Sequence, residues 1–147
     1  MINGQYFHTI DDKGRITVPA KLREVIEGTS ENQMKLSFFD KSLILCPIPM
    51  WLLIEEEFSG EKLFVEKRLK YLRRHLISAA VDCSLDSLGR IFVPGNLRES
   101  AEMKKDVVFV GMGGFIEIWG KERFMQDQKE AGALMSELGE ASSNLGI

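Results

Sequence analysis

The chain has only two cysteines, Cys46 and Cys83, and two histidines, His8 and His75, among its 147 residues. With no C-x-x-C pair and no larger cysteine set, there is neither a zinc-knuckle spacing nor a disulfide framework, and the two thiols read as small buried hydrophobes. Neither histidine has a second histidine or a cysteine at i+4, and no paired acid–base or nucleophile spacing accompanies them. Nothing local therefore supports an enzyme, and no cofactor or metal is expected. Long apolar runs are missing as well. The longest, LILCPIPMWLLI, is interrupted by Pro47 and Pro49 and is too short to cross a hydrocarbon layer of roughly 30 Å. The start of the chain, MINGQYFHTI, lacks the basic-then-apolar layout of a secretory signal, so a cytoplasmic protein with no membrane partner is the expectation.

Positive charge is also in short supply. The formal net charge is −3 and the pI about 5.5, which on average opposes phosphate binding by Lys and Arg. The average conceals a segregation. Between Lys62 and Leu76 there are six Lys or Arg against the single Glu66, whereas Met125 to Ile147 sets Lys129 against Asp127, Glu130, Glu137 and Glu140. Hydrophobic content of 44% and charged content of 28% are those of a chain that buries a core.

What is present in abundance is one phrase. DDKGRITVPAKLRE begins at Asp11, and DSLGRIFVPGNLRE begins at Asp86, with nine of fourteen positions identical. The likeness continues faintly downstream, where MKLSFFDKSLILCP lies over KDVVFVGMGGFIEIW, each a strand, a turn and a strand. An internal repeat of this kind reads as a unit that cannot bury its apolar face alone. Within each copy, Asp-x-x-Gly is a turn in which Asp accepts backbone hydrogen bonds and Gly14 or Gly89 supplies positive φ. RITV and RIFV then alternate, with Ile16, Val18, Ile91 and Val93 on the core face and Arg15, Thr17, Arg90 and Phe92 outward. Pro19 and Pro94 hold the preceding valines extended and open a short helix, the first from about Ala20 to Glu27 with Gly28 as left-handed cap, the second from about Gly95 to Glu102. Between the copies, Val65, Leu69, Leu72 and Leu76 fall on one stripe opposite Lys67, Lys70 and Arg74, which predicts an amphipathic linking helix. Further helices are expected in PMWLLIEEEF and GKERFMQDQKEAGALM, where Trp51 and Trp119 start corresponding segments. The resulting division is a first repeat over 1–61, a linking helix over 62–80, a second repeat over 81–139 and a flexible tail over 140–147, in one compact unit.

Three other features have ordinary readings. The glycines of VGMGGF sit between two strand patterns and read as a hairpin turn rather than a phosphate loop. Glu55, Glu56 and Glu57 point in different directions on a helix and read as a solvated face. The basic side of the linking helix is either a solvated face or a contact to phosphate or an acidic partner. The repeated Asp and Arg have two readings too: pairing across the turn to fix its shape, or presentation of the guanidinium outward to a ligand.

The two copies of D-x-x-G-R-x-x-V-P around a linking helix resemble the bacterial MraZ family over essentially the whole chain. A related single copy occurs in DNA-binding domains of the AbrB and SpoVT type, where two chains supply two copies. The resemblance implies an α+β fold, mainly β: a pseudo-twofold, swapped-hairpin, double-split β-barrel with short helices. It implies a sequence-specific transcription regulator, a repressor on short direct repeats of double-stranded DNA upstream of the division and cell-wall gene cluster, working as a ring-like homo-oligomer at the nucleoid. An antitoxin-like interaction module on the same fold is the alternative. Carried over by position, Arg15 and Arg90 contact DNA, Lys13, Lys21 and Arg23 add contacts in the first copy, and Asp11, Gly14, Pro19, Asp86, Gly89 and Pro94 shape the motif. Leu88, Asn96 and Phe92 replace Lys13, Lys21 and Thr17 in the second copy, so the first copy is expected to dominate affinity and the second to serve subunit packing through Phe92.

Overall fold

The computed structural model describes residues 1–30, 32–60 and 66–139. Each copy contributes the same series of elements. The first has β1 (Gln5–Thr9), β2 (Arg15–Thr17), α1 (Ala20–Ser30), β3 (Gln33–Phe39), β4 (Ser42–Pro47) and α2 (Ile48–Glu57). A linking helix α3 (Lys67–Leu72) runs into a π-helical turn, Arg73–Ile77. The second copy has β5 (Val81–Ser84), β6 (Arg90–Phe92), α4 (Gly95–Ser100), β7 (Asp106–Gly111), β8 (Ile116–Gly120) and α5 (Lys121–Glu137).

The hairpins β3–β4 and β7–β8 are joined through β4 and β8, where Ile44 faces Glu117 at the centre of the pairing. The first strands are exchanged: β1 pairs with β7 of the other copy and β5 with β3, giving the antiparallel order β1-β7-β8-β4-β3-β5. That order reads the same from either end when the copies are interchanged. The second strands pair only with each other, as a ribbon in which Ile16 faces Ile91.

The architecture is thus mixed α+β with antiparallel sheets, and it departs from the expectation in two respects. Continuous pairing does not close a barrel: the sheet keeps β1 and β5 as edges, and among the described residues the ribbon meets the chain just after β1 through an isolated bridge from Ile10 to Ile16. Nor are the helices uniformly short, since α5 has 17 residues and α1 has 11.

One buried cluster takes equivalent residues from both copies: Ile16 and Ile91, Val18 and Val93, Leu22 and Leu97, Leu36 and Phe109, Leu45 and Ile118. Burial on both faces explains the unbroken apolar run of β4. Leu43 and Leu45 enter the main core, while Ile44 and Cys46 turn the other way to Trp51 of α2 and to Leu76. On the other half of the sheet, Val108 and Trp119 are covered by Phe124 of α5. Trp119 therefore belongs to a strand and Trp51 to a helix, so the two tryptophans do not begin corresponding segments as the sequence suggested.

The linking helix is less regular than its stripe implies. Leu69 and Leu72 are half-buried and Leu76 is buried, as expected, but Ser78 N–H donates to the Arg73 carbonyl at 3.1 Å, which widens the last turn. The Ser37 hydroxyl of β3 donates to the Leu76 carbonyl at 2.5 Å, so the wide turn delivers a carbonyl to a buried hydroxyl on the sheet. Val65 and the beginning of the expected helix lie outside the described residues, as does the tail from 140. No helix among the described residues is long and apolar enough to cross a membrane. VGMGGF is a hairpin turn, with Gly111 paired to Ile116 and Gly113 at φ +90°.

α1 does not stop at Gly28, which is not in the left-handed region; the helix runs on to Ser30. The left-handed residue is Asn32, at φ +68°. Its side chain accepts from Leu85 N–H at 2.9 Å and donates to the Leu85 carbonyl at 3.2 Å, so a tie to the other copy fixes the reversal where a glycine was expected to do so. A Cβ at Gly28 would meet nothing within 4 Å, whereas one at Gly14 would sit 2.7 Å from the Val93 carbonyl oxygen, at φ +87°. Gly28→Ala is accordingly expected to raise stability by roughly 0.5–1 kcal/mol. Gly14→Ala is expected to lower it by more than about 1 kcal/mol. Urea unfolding of the two variants checks the opposed signs.

Candidate nucleic-acid interface

The two repeated turns are near-identical in geometry. In the first, Asp11 Oδ1 accepts from the backbone N–H groups of Lys13 and Arg15, each at 2.9 Å, and Oδ2 accepts from Arg15 Nε at 2.8 Å. In the second, Asp86 Oδ1 accepts from Leu88 and Arg90 N–H at 2.9 Å each, and Oδ2 from Arg90 Nε at 2.8 Å. Backbone bonds from Gly14 N–H to the Asp11 carbonyl and from Gly89 N–H to the Asp86 carbonyl, both 3.0 Å, close the turns. The structural reading of the pair is therefore realised: each aspartate shapes its turn.

These contacts also orient the arginines. Both carboxyls are held below the ordinary carboxylate value, first by the hydrogen bond from the arginine's own backbone N–H, against some desolvation, and then by its side chain. The ion pairs engage Nε, and among the described residues no other side-chain acceptor meets either guanidinium. Nε tethering leaves the terminal nitrogens of each fork for a second acceptor, the arrangement suited to a planar bidentate contact.

The ribbon collects the two turns. Residues directly opposite in an antiparallel pair share a face, so Arg15 with Phe92 and Thr17 with Arg90 make up one side, while Ile16 and Ile91 are buried on the other. Arg15 and Arg90 are diagonal neighbours there, with Cα atoms roughly 7–8 Å apart by ladder geometry. Phe92 is 55% exposed and Thr17 is exposed beside them. Lys13 and Leu88 stand exposed at equivalent turn tips, and Lys21 is exposed at the start of α1. Pro19 and Pro94 stand just before α1 and α4, and each offers its carbonyl to two following N–H groups, such as Arg23 at 2.9 Å and Arg98 at 3.0 Å.

Each turn is completed by the other copy. Val18 N–H donates to the Gly89 carbonyl at 2.9 Å, and Val93 N–H donates to the Gly14 carbonyl at 2.8 Å. The Arg23 side chain of α1 lies against Gly89, at the turn of the second copy, rather than beside the first-copy residues with which the sequence grouped it. Arg98 of α4 lies against Gly14 in the same crossed manner. The sequence reading omitted Arg98, although the signal was present: it stands where Arg23 does in the second phrase.

The remaining candidates are structural or solvated. His8 lies edge-on to Phe109, and exposed His75 packs on Tyr71. Glu55 accepts from Trp51 Nε1 at 2.8 Å, while Glu56 and Glu57 are exposed.

Comparison with known proteins supplies the family. A family model described as "MraZ protein, putative antitoxin-like" matches residues 1–71 and 76–142. The chain belongs to the MraZ family. Its curated relatives include the "Transcriptional regulator MraZ" of Caldanaerobacter subterraneus subsp. tengcongensis, 36% identical over 147 residues and covering all of both chains. The protein of the same name from Lachnoclostridium phytofermentans is 37% identical over all of this chain and 99% of its own. That of Herpetosiphon aurantiacus is 38% identical over 84% of each. The family is one of regulators rather than enzymes, in keeping with the lack of a catalytic spacing in the sequence.

A carboxyl with a depressed folded value stabilises the fold above its unfolded value, near 3.8, and that contribution is lost as pH falls through the depressed folded value. Asp11→Asn retains an acceptor for the turn N–H groups but loses the charge. The variant is expected to unfold at lower denaturant than the parent at pH 7, and the gap is expected to shrink as pH falls below 3.8. Paired denaturation curves across that range check the sign.

Proposed function

We propose that this chain is a sequence-specific, double-stranded-DNA-binding transcriptional regulator that contacts DNA through the outer face of the β2–β6 ribbon. The observation that carries the reading is the placement of two carboxylate-held arginines, Arg15 and Arg90, on one face of the ribbon, each half-buried beside exposed Thr17 and Phe92. The name borne by the relatives supports it. The arginine forks reach phosphates or guanine edges, Lys13, Lys21 and Arg23 add phosphate contacts, and Asp11 and Asp86 hold the forks in position. Occupancy of short direct repeats in a promoter, upstream of the division and cell-wall gene cluster, blocks polymerase, so the protein acts as a repressor. It does so in the cytoplasm, at the nucleoid, as a ring-like homo-oligomer.

The copies contribute unequally. Lys13 and Lys21 give the first copy two cations that Leu88 and Asn96 do not supply in the second. Exposed Phe92 suits the second copy to packing as well as to DNA. An antitoxin-like interaction module is the alternative; the family description and the uncovered apolar side chains late in α5 favour it.

The test is a binding titration against DNA carrying the direct repeats, beside a scrambled duplex, at two salt concentrations. Tight binding that depends on the repeats is expected, with log K falling by about 0.9 per log salt for each phosphate neutralised. Arg15→Ala is expected to weaken specific binding by about 1–3 kcal/mol for each bidentate pairing with a base that the arginine makes, while leaving the fold intact. The Lys13→Ala/Arg15→Ala pair is expected to cost more than Arg90→Ala. Equal weak binding to both duplexes, indifferent to Arg15, would turn the reading toward the interaction module.

A further inference from the structure

The outer face of the β2–β6 ribbon is a square of four side chains, with Arg15 opposite Phe92 and Thr17 opposite Arg90. Three of the four are hydrogen-bond donors, and the fourth is a phenyl ring. Interchanging the copies superposes the arginines but puts Thr17 where Phe92 is, so the two halves of the face differ at this corner. Phe92 is 55% exposed, and among the described residues it packs against no other aromatic ring. The core does not call for it, since Ile91 and Val93 on either side take the inward positions. Nor does the strand, because Phe and Thr both suit a pleated surface. Leu88, at the tip of the same turn, is 64% exposed where the first copy has Lys13. The apolar departures thus fall together on the second copy, while the cations stay on the first.

A two-stranded ribbon fits the major groove of B-form DNA, where an arginine fork matches O6 and N7 of guanine. A phenyl ring can neither donate nor accept. The apolar group that base edges present in that groove is the C5 methyl of thymine, and the minor groove presents none. Residues directly opposite in an antiparallel pair have Cβ atoms about 4.5–5.5 Å apart. Bases along one strand of DNA rise by about 3.4 Å. The ring of Phe92 therefore reaches a base pair one or two steps from the one met by Arg15.

We propose that Phe92 is a specificity-determining residue, whose ring packs on a thymine C5 methyl one or two base pairs from a guanine held by Arg15. The inference rests on the ribbon being the DNA-binding face, and it deepens that reading by naming a base that the face selects. Thr17, beside Arg90, offers a much smaller apolar surface, so the two halves of the ribbon read unlike bases. A pseudo-twofold protein is thereby given a direction on its DNA, and the element it prefers is non-palindromic.

Deoxyuridine tests the contact, because it lacks the C5 methyl of thymidine and keeps every hydrogen-bonding group. The parent and Phe92→Ser are titrated against the duplex carrying the direct repeats, with deoxyuridine replacing the thymines one position of the repeat at a time. At one position the replacement is expected to weaken the parent about fourfold for each repeat altered, the worth of one buried methyl. The same replacement is expected to leave Phe92→Ser unchanged. The unfolding midpoint and sedimentation coefficient of Phe92→Ser are expected to match those of the parent. A parent indifferent to every replacement, or a Phe92→Ser protein as sensitive as the parent, would overturn the assignment. A fall in assembled mass with no methyl dependence would give the ring to subunit packing instead. Repeat-specific, Arg15-dependent binding without methyl dependence sinks this inference alone, whereas equal binding to repeat and scrambled duplexes sinks the regulator reading and the inference with it.

Discussion

A three-residue strand cannot stand by itself, and β2 and β6 each have only three residues. Each finds its partner in the equivalent strand of the other copy, and the ribbon they form buries Ile16 and Ile91 almost completely. The carbonyl of Gly14 takes the Val93 N–H and that of Gly89 takes the Val18 N–H, so each turn is held by the strand end of the opposite copy. Positive φ and close approach at those two glycines follow from the same requirement. The exchange of β1 and β5 between hairpins extends it to the whole sheet. Removing either copy would leave half of every such pairing unmade, which is why the phrase occurs twice.

On the proposed reading, the Asp–Arg pair gives a structural and a ligand-facing role to the same atoms. Asp Oδ1 completes the turn through two backbone N–H groups, a job that needs no arginine side chain. Oδ2 then takes Nε, the one guanidinium nitrogen that is not part of the terminal fork. Holding a long side chain in this way removes rotamer freedom before any ligand arrives, so the entropy cost of binding is smaller. Turn geometry and guanidinium direction are consequently inseparable, so the two readings of the pair are compatible in one arrangement.

Much of this was legible because it is local. Asp-x-x-Gly, the alternation around Ile16 and Ile91, the prolines before α1 and α4, and the hairpin in VGMGGF each follow from a few adjacent residues. What escaped the sequence depends on contacts between copies. Asn32 displaces Gly28 as the end of α1 because its partner, Leu85, lies 53 residues away. Arg23 serves the second turn rather than the first because the helices cross over, and Arg98 enters by the same crossing. The π-helical turn at Arg73–Ile77 answers to Ser37 on β3, which no periodicity in the linking segment reveals. Barrel closure was carried over from a resemblance, whereas the pairing leaves β1 and β5 as edges because β2 and β6 are consumed by each other.

Charge connects these local facts to assembly. Each ribbon arginine is matched by an aspartate at 2.8 Å, so the pairs add donors without adding net positive charge. Lys13, Lys21, Arg23 and Arg98 supply the cations near the turns, against a chain whose net charge is −3. On the proposed reading, a single ribbon is therefore a geometrically defined but electrostatically weak reader of DNA. Several ribbons fixed on one face of an oligomer turn later contacts into intramolecular ones, and the overall affinity can exceed that of one ribbon by orders of magnitude with no new contact to DNA. A single site would then be held poorly and an array at the right spacing well. In such a protein, specificity for repeats arises from the spacing of its own subunits as much as from what Arg15 and Arg90 touch.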